Sequence, residues 1–524
     1  MSRDAADPTG LRWEAPGPGL WFLTREHFPA PVSRLFASLF PPTTMGWLTS
    51  AQRYGLPDGA PRWAAVNGWV YYAPASARPE DYPALEQAAA ATLQGARWRD
   101  DVRRWHEEDR PRVAAANRAL QAEDVQNMDD AALADHLGRA VTHFVVAGTL
   151  HFELHTTFSV AGGLLYEAIA EWGLGHEDVV PLLAGSSPAS GAAQAHVDRI
   201  AAALRAQGAP EPTSVEAIRG AGPEAAAAVD EYLAEYGWRC LDQHEMRGAT
   251  LIERPEVLLT SVRARLAGVG GADVRSNEAT IRERVPAEAR DRFDSRLNDA
   301  REAYELNDDN VGVTFGWPLG LVRRAVLETA RRLVARGQVN DGDHVFETDA
   351  EELVGLLQGT GPSSDELEAR AARLALAGRA EPPEALGEPA SSEDAPLPPS
   401  VARLVQARSA LWSSGTSPSS PMAGVGIGDT VYRGRACVID GDGYLALEPG
   451  DVIVATVTHA GHNTVFPIGG AVVTQEGGWL SHPAVLAREL GLPAVIGVKG
   501  LLDRVHTGDI VEVDPVAGVV RVID

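Results

Sequence analysis

From Tyr82 to about Leu376, apolar side chains recur at intervals of three and four residues, as in PALEQAAAATLQGARWRDDVRRWHEE and DAALADHLGRAVTHFVVAGTLHFELH. That period gathers them on one helical face, so residues 81–377 are expected to form a mostly α-helical domain. Residues 1–80 break the pattern with Trp, Pro and Gly (WEAPGPGLWFL, HFPAPVSRLF, VNGWVYYAP), which predicts short strands and turns packed on the helical domain. Trp21, Phe22, Trp47 and Trp69 are expected to build a small core there, or to wall an apolar pocket. After Leu376 the apolar positions thin out. Residues 378–400 (GRAEPPEALGEPASSEDAPLPPS) and SSGTSPSSPMAG flank a helix-like stretch, Val401 to Trp412, so residues 378–424 are expected to be an extended linker. Residues 425–524 alternate β-rich runs (TVYRGRACVI, DVIVATV, GAVVTQ, PAVIGV, DIVEVDP, GVVRVID) with turns and one helix, Pro483 to Leu490. The pattern is that of a multidomain α+β protein whose last domain can move.

Composition and charge narrow the partners. With 72 acidic against 46 basic residues, the formal net charge is −26, so a phosphate backbone would be repelled and no nucleic acid is expected. Two cysteines, Cys240 and Cys437, lie far apart without metal-ligand spacing, which fits a reducing, cytoplasmic setting. The start, MSRDAADPTG, lacks a signal-peptide pattern. The apolar run from Ala140 to Ala170 is interrupted by His143, His151, Glu153 and His155, which argues against a membrane span.

One stretch carries chemistry. In TQEGGWLSHPAVLARELGLPAVIG, two glycines, a serine and a histidine precede a short helix. A helix start offers unpaired N–H groups and a partial positive charge, and glycines let the backbone approach an anion closely. Pro483 suits the first helical position, with Ser481 or His482 at the cap. His482 can act as a nucleophile near neutral pH and carry a phosphoryl group, with Thr474 and Ser481 donating to its oxygens. Arg488 could add charge or buttress the loop. The same residues also suit a plain strand-to-helix turn, and the chemistry alone leaves both readings open.

The ungapped run T-x-x-GG-x-x-SH-x-A-x-x-AR-x-x-G-x-PAV-x-G resembles the signature of the mobile phosphohistidine domain of phosphoenolpyruvate-utilising enzymes. VYRGRACVI, EPGDVIVA and HTGDIVEVDPVAGVVRVID resemble that domain's first strand, following strand pair and last hairpin. The resemblance implies a swivelling domain in which His482 accepts phosphate, and Thr474, Gly477, Gly478, Ser481 and Arg488 are the residues expected to bind it. Two departures stand out. Pro483 replaces a small residue, and VTHAGHNTVFPIGG carries His459 and His462, as acid–base groups or as loop residues.

The helical part resembles the central part of rifampin phosphotransferase-like proteins and the histidine-bearing subunit of phenylphosphate synthase, through YLAEYGWRCLDQHEMRGATLIERPEVLL, WPLGLVRRAVLETARRLVARGQV and DHVFETDAEELVGLL. Neither the family's ATP-grasp module nor its phosphoenolpyruvate barrel is recognisable. The resemblance therefore implies a separate ATP-grasp donor protein, with ATP entering only through that partner and Mg²⁺ assisting transfer.

Candidate acceptor-site residues are His151, His155, Tyr236, Arg239 and Glu245. His143, His151 and His155 would share one helical face, for substrate or metal or for packing. The carboxylates of Asn307 to Asn310 could hold Mg²⁺ or cap a helix, and no metal site is assigned. The expected function is phosphoryl transfer through His482 to a hydroxyl of a small organic molecule, of the secondary-metabolite kind. A donor-independent lyase or dehydratase using His482 as acid or base, and a non-catalytic partner or regulator, are the alternatives. A stand-alone ATP-grasp protein encoded alongside would favour the first, and activity without nucleotide the second.

Overall fold

The computed structural model describes residues 10–183, 185–186, 188–241, 245–269, 278–389, 395–412, 422–479 and 481–523. Residues 1–9, 390–394 and 413–421, which the sequence assigns to the N-terminal segment and the linker, lie outside the described residues.

The helical domain is organised around one helix, Asp130–Ala170, of 41 residues. Asp129 caps its start by accepting from the Ala132 amide at 2.8 Å. Helices Met45–Tyr54, Arg290–Val311, Trp317–Ala335 and Pro399–Trp412 pack along it. Its apolar residues, among them Leu154, Phe158, Leu164 and Leu165, are buried nearly all round, as a central helix requires.

A four-stranded antiparallel sheet at the N-terminus runs in the order Arg62–Val66, Trp69–Ala73, Trp21–Leu23 and Ala385–Leu386. Two ten-residue helices, Arg34–Thr43 and Met45–Tyr54, join it where only strands and turns were expected. Pro41 and Pro42 sit late in the first helix, so they mask its period while leaving the buried spacing of Leu35, Phe36, Leu39 and Phe40 intact.

The segment expected as linker is in part folded. Ala385–Leu386 pairs with Trp21–Phe22, the Trp69 indole donates to the Ala377 carbonyl at 3.0 Å, and the Tyr71 hydroxyl to the Pro383 carbonyl at 2.8 Å. Side-chain donors thus satisfy carbonyls that a Pro-rich segment cannot pair in a ladder. Helix Pro399–Trp412 buries Val401, Leu404, Ala407 and Leu411, and Arg408 pairs with Asp58 at 2.6 Å. The chain from 378 to 389 and from 395 to 412 therefore belongs to the helical body.

The C-terminal domain holds a seven-stranded sheet in the order Val519–Ile523, Ile510–Asp514, Tyr432–Val438, Val452–Ala455, Ala471–Thr474, Ala494–Ile496 and Val425–Ile427. The four central strands are parallel, and the outer pairings are antiparallel. Val, Ile and Ala dominate the strands Val452–Ala455, Ala471–Thr474 and Ala494–Ile496, which are buried along their whole length because both faces are covered. One face packs within the domain through Val454, Val473, Leu501 and Val513. The other merges into a cluster with helices Pro188–Ala206, Pro223–Tyr236 and Pro255–Leu266 through Val197, Tyr232, Leu258, Phe466 and Leu486. The C-terminal domain is thus seated against the helical domain. Among the described residues, no helix is long and apolar enough to cross a membrane.

Candidate functional site

The sheet strand Ala471–Thr474 ends in the Gly-Gly turn, and helix His482–Leu490 follows. The Thr474 hydroxyl, fully buried, donates to the Glu476 carbonyl at 2.8 Å. Gly477 has φ +123°, and a Cβ there would stand 2.7 Å from the Ser481 hydroxyl oxygen, so only glycine fits. Ser481 closes the turn by donating to the Gly478 carbonyl at 2.8 Å while accepting from the Gly478 amide at 3.1 Å. Both hydroxyls expected to hold phosphate therefore shape the turn, whereas the space beside Gly478 is open. Pro483 follows His482 in the first helical turn, as the sequence suggested.

Arg488 takes the second of its two expected roles, buttressing the loop. Its guanidinium is buried, donates to the Trp479 carbonyl at 2.9 Å and lies against Tyr166 and Tyr304 of the helical domain. Two turns into the helix the side chain lies at the domain interface and buttresses the loop through the Trp479 carbonyl.

His482 is held at both ring nitrogens. Nδ1 lies 3.0 Å from the Thr458 hydroxyl, Nε2 lies 2.6 Å from the Asn463 side-chain oxygen, and the Phe466 ring meets it edge-on at 5.9 Å. Burial pulls the imidazole pKa from 6.5 down to about 3, with neighbouring His462 a smaller cause. The ring is neutral at pH 7, as a nitrogen nucleophile must be.

The loop bearing Thr458 and Asn463 is braced across the domain interface. Ser261 donates to the Thr464 carbonyl at 3.0 Å, and a Cβ on Gly461 would fall 2.2 Å from the Leu241 carbonyl oxygen. Within the loop the His459 amide donates to His462 Nδ1 at 3.3 Å and the two rings lie 4.2 Å apart. Burial pulls His462 down to about 4, so it too is neutral at pH 7.

Asn463 also lines a cavity of about 360 Å³ between the domains, together with Tyr236, Arg239, Arg110, Asp309 and Glu305. The volume suits a small organic molecule. Arg239 lies over the Tyr236 ring at 4.3 Å. Burial pushes the Tyr236 hydroxyl up to about 12. Arg110 pairs with Asp309 at 2.6 Å, and the Trp105 indole donates to the same carboxylate at 3.0 Å. Tyr236 and Arg239 are thus brought to the histidine side.

The other candidates lie elsewhere. His151 contacts the Asn310 amide oxygen at 2.5 Å and packs on Phe152 and Phe315, while His155 faces Trp47. Burial lowers them to about 3 and about 4. Both are neutral, half-buried histidines, and neither lines the cavity beside Asn463, because the long helix turns that face towards an aromatic cluster. His143 likewise bonds Asn117 at 2.7 Å. Glu245 is a further correction: its carboxylate takes the Ser33 amide at 2.6 Å and hydroxyl at 3.0 Å, satisfying the start of helix Arg34–Thr43. Of the Asn307–Asn310 run, Asp308 and Asp309 reach the cavity and Asn310 is buried. Among the described residues no group of three or more His, Cys, Asp or Glu side chains is placed to hold a metal ion. No step below is routed through one.

Residues 447–518 match the family description PEP-utilising enzyme, mobile domain. This C-terminal stretch is thus similar to the mobile domain of phosphoenolpyruvate-utilising enzymes. Residues 163–308 match a second description, rifampicin phosphotransferase fourth domain. An uncharacterised protein of Mycobacterium tuberculosis is 29% identical over 58% of this chain and 32% of its own length. A rifampicin phosphotransferase of Streptomyces sviceus is 26% identical over 58% of this chain and 35% of its own length. A probable phosphoenolpyruvate synthase of Pyrococcus abyssi is 38% identical over 19% of this chain and 12% of its own. The chain spans about a third of the length of the first two relatives. A solution structure of Enzyme I aligns over 67% of this chain and 80% of that one at 13% identity, with a TM-score of 0.15, too low to inform the fold.

Thr458, Asn463 and Arg110 were not legible as site residues. Asn463 sits in the departing VTHAGHNTVFPIGG segment directly after His462, whose imidazole is the more evident chemical group.

Proposed function

We propose that the mobile domain accepts a phosphoryl group on His482 Nε2 and delivers it to a hydroxyl of a small organic molecule held in the interdomain cavity. One observation carries the reading: Nε2 points at Asn463, and Asn463 is itself a wall of that cavity. In charging, the Nε2 lone pair attacks the donor phosphorus, a P–N bond forms and the P–O bond to the leaving group breaks. Nδ1 then carries the proton and donates it to the Thr458 oxygen. In delivery the acceptor oxygen attacks phosphorus, the P–N electron pair returns to Nε2, and the hydroxyl proton passes to a cavity carboxylate.

The open backbone at Gly478 and the helix start would hold the phosphoryl oxygens, while Tyr236 and Arg239 would orient the acceptor. An ATP-grasp protein in trans is our choice of donor, and Mg²⁺ would arrive with the nucleotide. The delivery half is tested by charging the full chain with labelled phosphate and adding pools of small hydroxylated compounds. Transfer of label from protein to a compound supports the reading. Label that leaves only as inorganic phosphate, whatever pool is added, counts against it.

A further inference from the structure

The two hydrogen bonds to His482 are not equivalent. A threonine hydroxyl can donate or accept, so Thr458 suits either tautomer of the ring. The Asn463 oxygen at 2.6 Å from Nε2 only accepts, so this contact needs the proton on Nε2. Thr458 then donates to the Nδ1 lone pair at 3.0 Å.

We infer that Asn463 is a positioning residue that keeps the His482 proton on Nε2 while the domain is seated, leaving that nitrogen without a lone pair for attack. The inference rests on the phosphotransfer reading for its purpose, though not for its observation. Asn463 can hold this place because its loop is clamped from the helical domain by the Ser261 bond to the Thr464 carbonyl and by the fit of Gly461 on Leu241. Unseating removes both clamps. The side chain is then released to turn, the proton moves to Nδ1 against Thr458, and Nε2 gains the lone pair that charging requires. Phosphate would thus be taken up away from the cavity, and the uncharged ring returning to it would be silenced.

The test needs no donor or acceptor. The full chain is labelled with ¹⁵N-histidine, and His482 is assigned by the resonance lost in His482→Gln. At pH 7 the ring is expected as the Nε2–H tautomer. Asn463→Ala is expected to lose that tautomer, whereas Asn463→Asp, which keeps an accepting oxygen, retains it, and Thr458→Ser leaves it unchanged. An Nδ1–H ring in the unsubstituted protein, or an unchanged tautomer in Asn463→Ala with a native circular dichroism spectrum, overturns the inference. Neither result bears on whether phosphate is transferred, so the two accounts fail separately.

Discussion

Arg488 of the C-terminal domain is buried against Tyr304 of the helical domain, with its guanidinium donating to the Trp479 carbonyl beside the Gly-Gly turn. Burial lowers the pKa of this arginine and raises that of Tyr304. A charge taken out of water is tolerated only where polar partners surround it, so the pair marks the seated position of the domain.

Replacing that arginine should therefore weaken seating. Arg488→Ala is expected to lower stability by roughly 2–4 kcal/mol, through lost hydrogen bonds and a cavity at the interface. Calorimetry measures the loss. Any His482 charging observed should persist in the variant.

Acid should loosen the protein through histidines that are neutral in the folded chain. His482 and His151 are lowered to about 3, and His462 and His155 to about 4, from 6.5. These rings stay neutral when folded but bind protons when unfolded, so stability is complete above about pH 6.5 and falls as pH drops towards 4. Each ring contributes a slope of up to about 1.4 kcal/mol per pH unit in that window. Urea midpoints at pH 7 and pH 5 test this, and His482→Gln should reduce the slope by about one proton.

Glu245 should matter to stability and not to transfer. Glu245→Ala leaves the Ser33 amide and hydroxyl without their acceptor, at a cost of about 1–2 kcal/mol. Chemical denaturation reads the loss, and transfer from charged protein should be unaffected under native conditions.

The cavity wall should separate charging from delivery. Arg239→Gln removes a guanidinium that lies over Tyr236 in the cavity. Delivery to an acceptor is expected to slow by about 10–100-fold, the loss of one oriented polar contact, while charging of His482 is unchanged.

What could be read from the sequence was local. The Gly-Gly turn, the serine and the proline of the histidine helix lie within a few residues of one another, and each has a backbone reason to be there. The strands Val452–Ala455, Ala471–Thr474 and Ala494–Ile496 were legible as β-rich runs for the same reason, being short apolar stretches between turns. The contacts that make a site were not. Asn463 and Tyr236 are far apart in the chain and meet only because an apolar cluster seats one domain on the other. Glu245 resembled a substrate ligand because a helix-capping carboxylate and a catalytic one look alike until the acceptor's donors are known. The Pro-rich stretch after Ala377 read as free linker, since nothing in it announces that Trp69 and Tyr71 supply its hydrogen bonds.

The most direct measurement is intact-protein mass spectrometry under conditions that spare acid-labile phosphohistidine, after incubation with Mg-ATP and a candidate ATP-grasp partner. The account predicts one phosphate adduct, absent in His482→Ala. No adduct with any donor, together with conversion of a substrate by the chain alone, would contradict it and make His482 an acid–base residue.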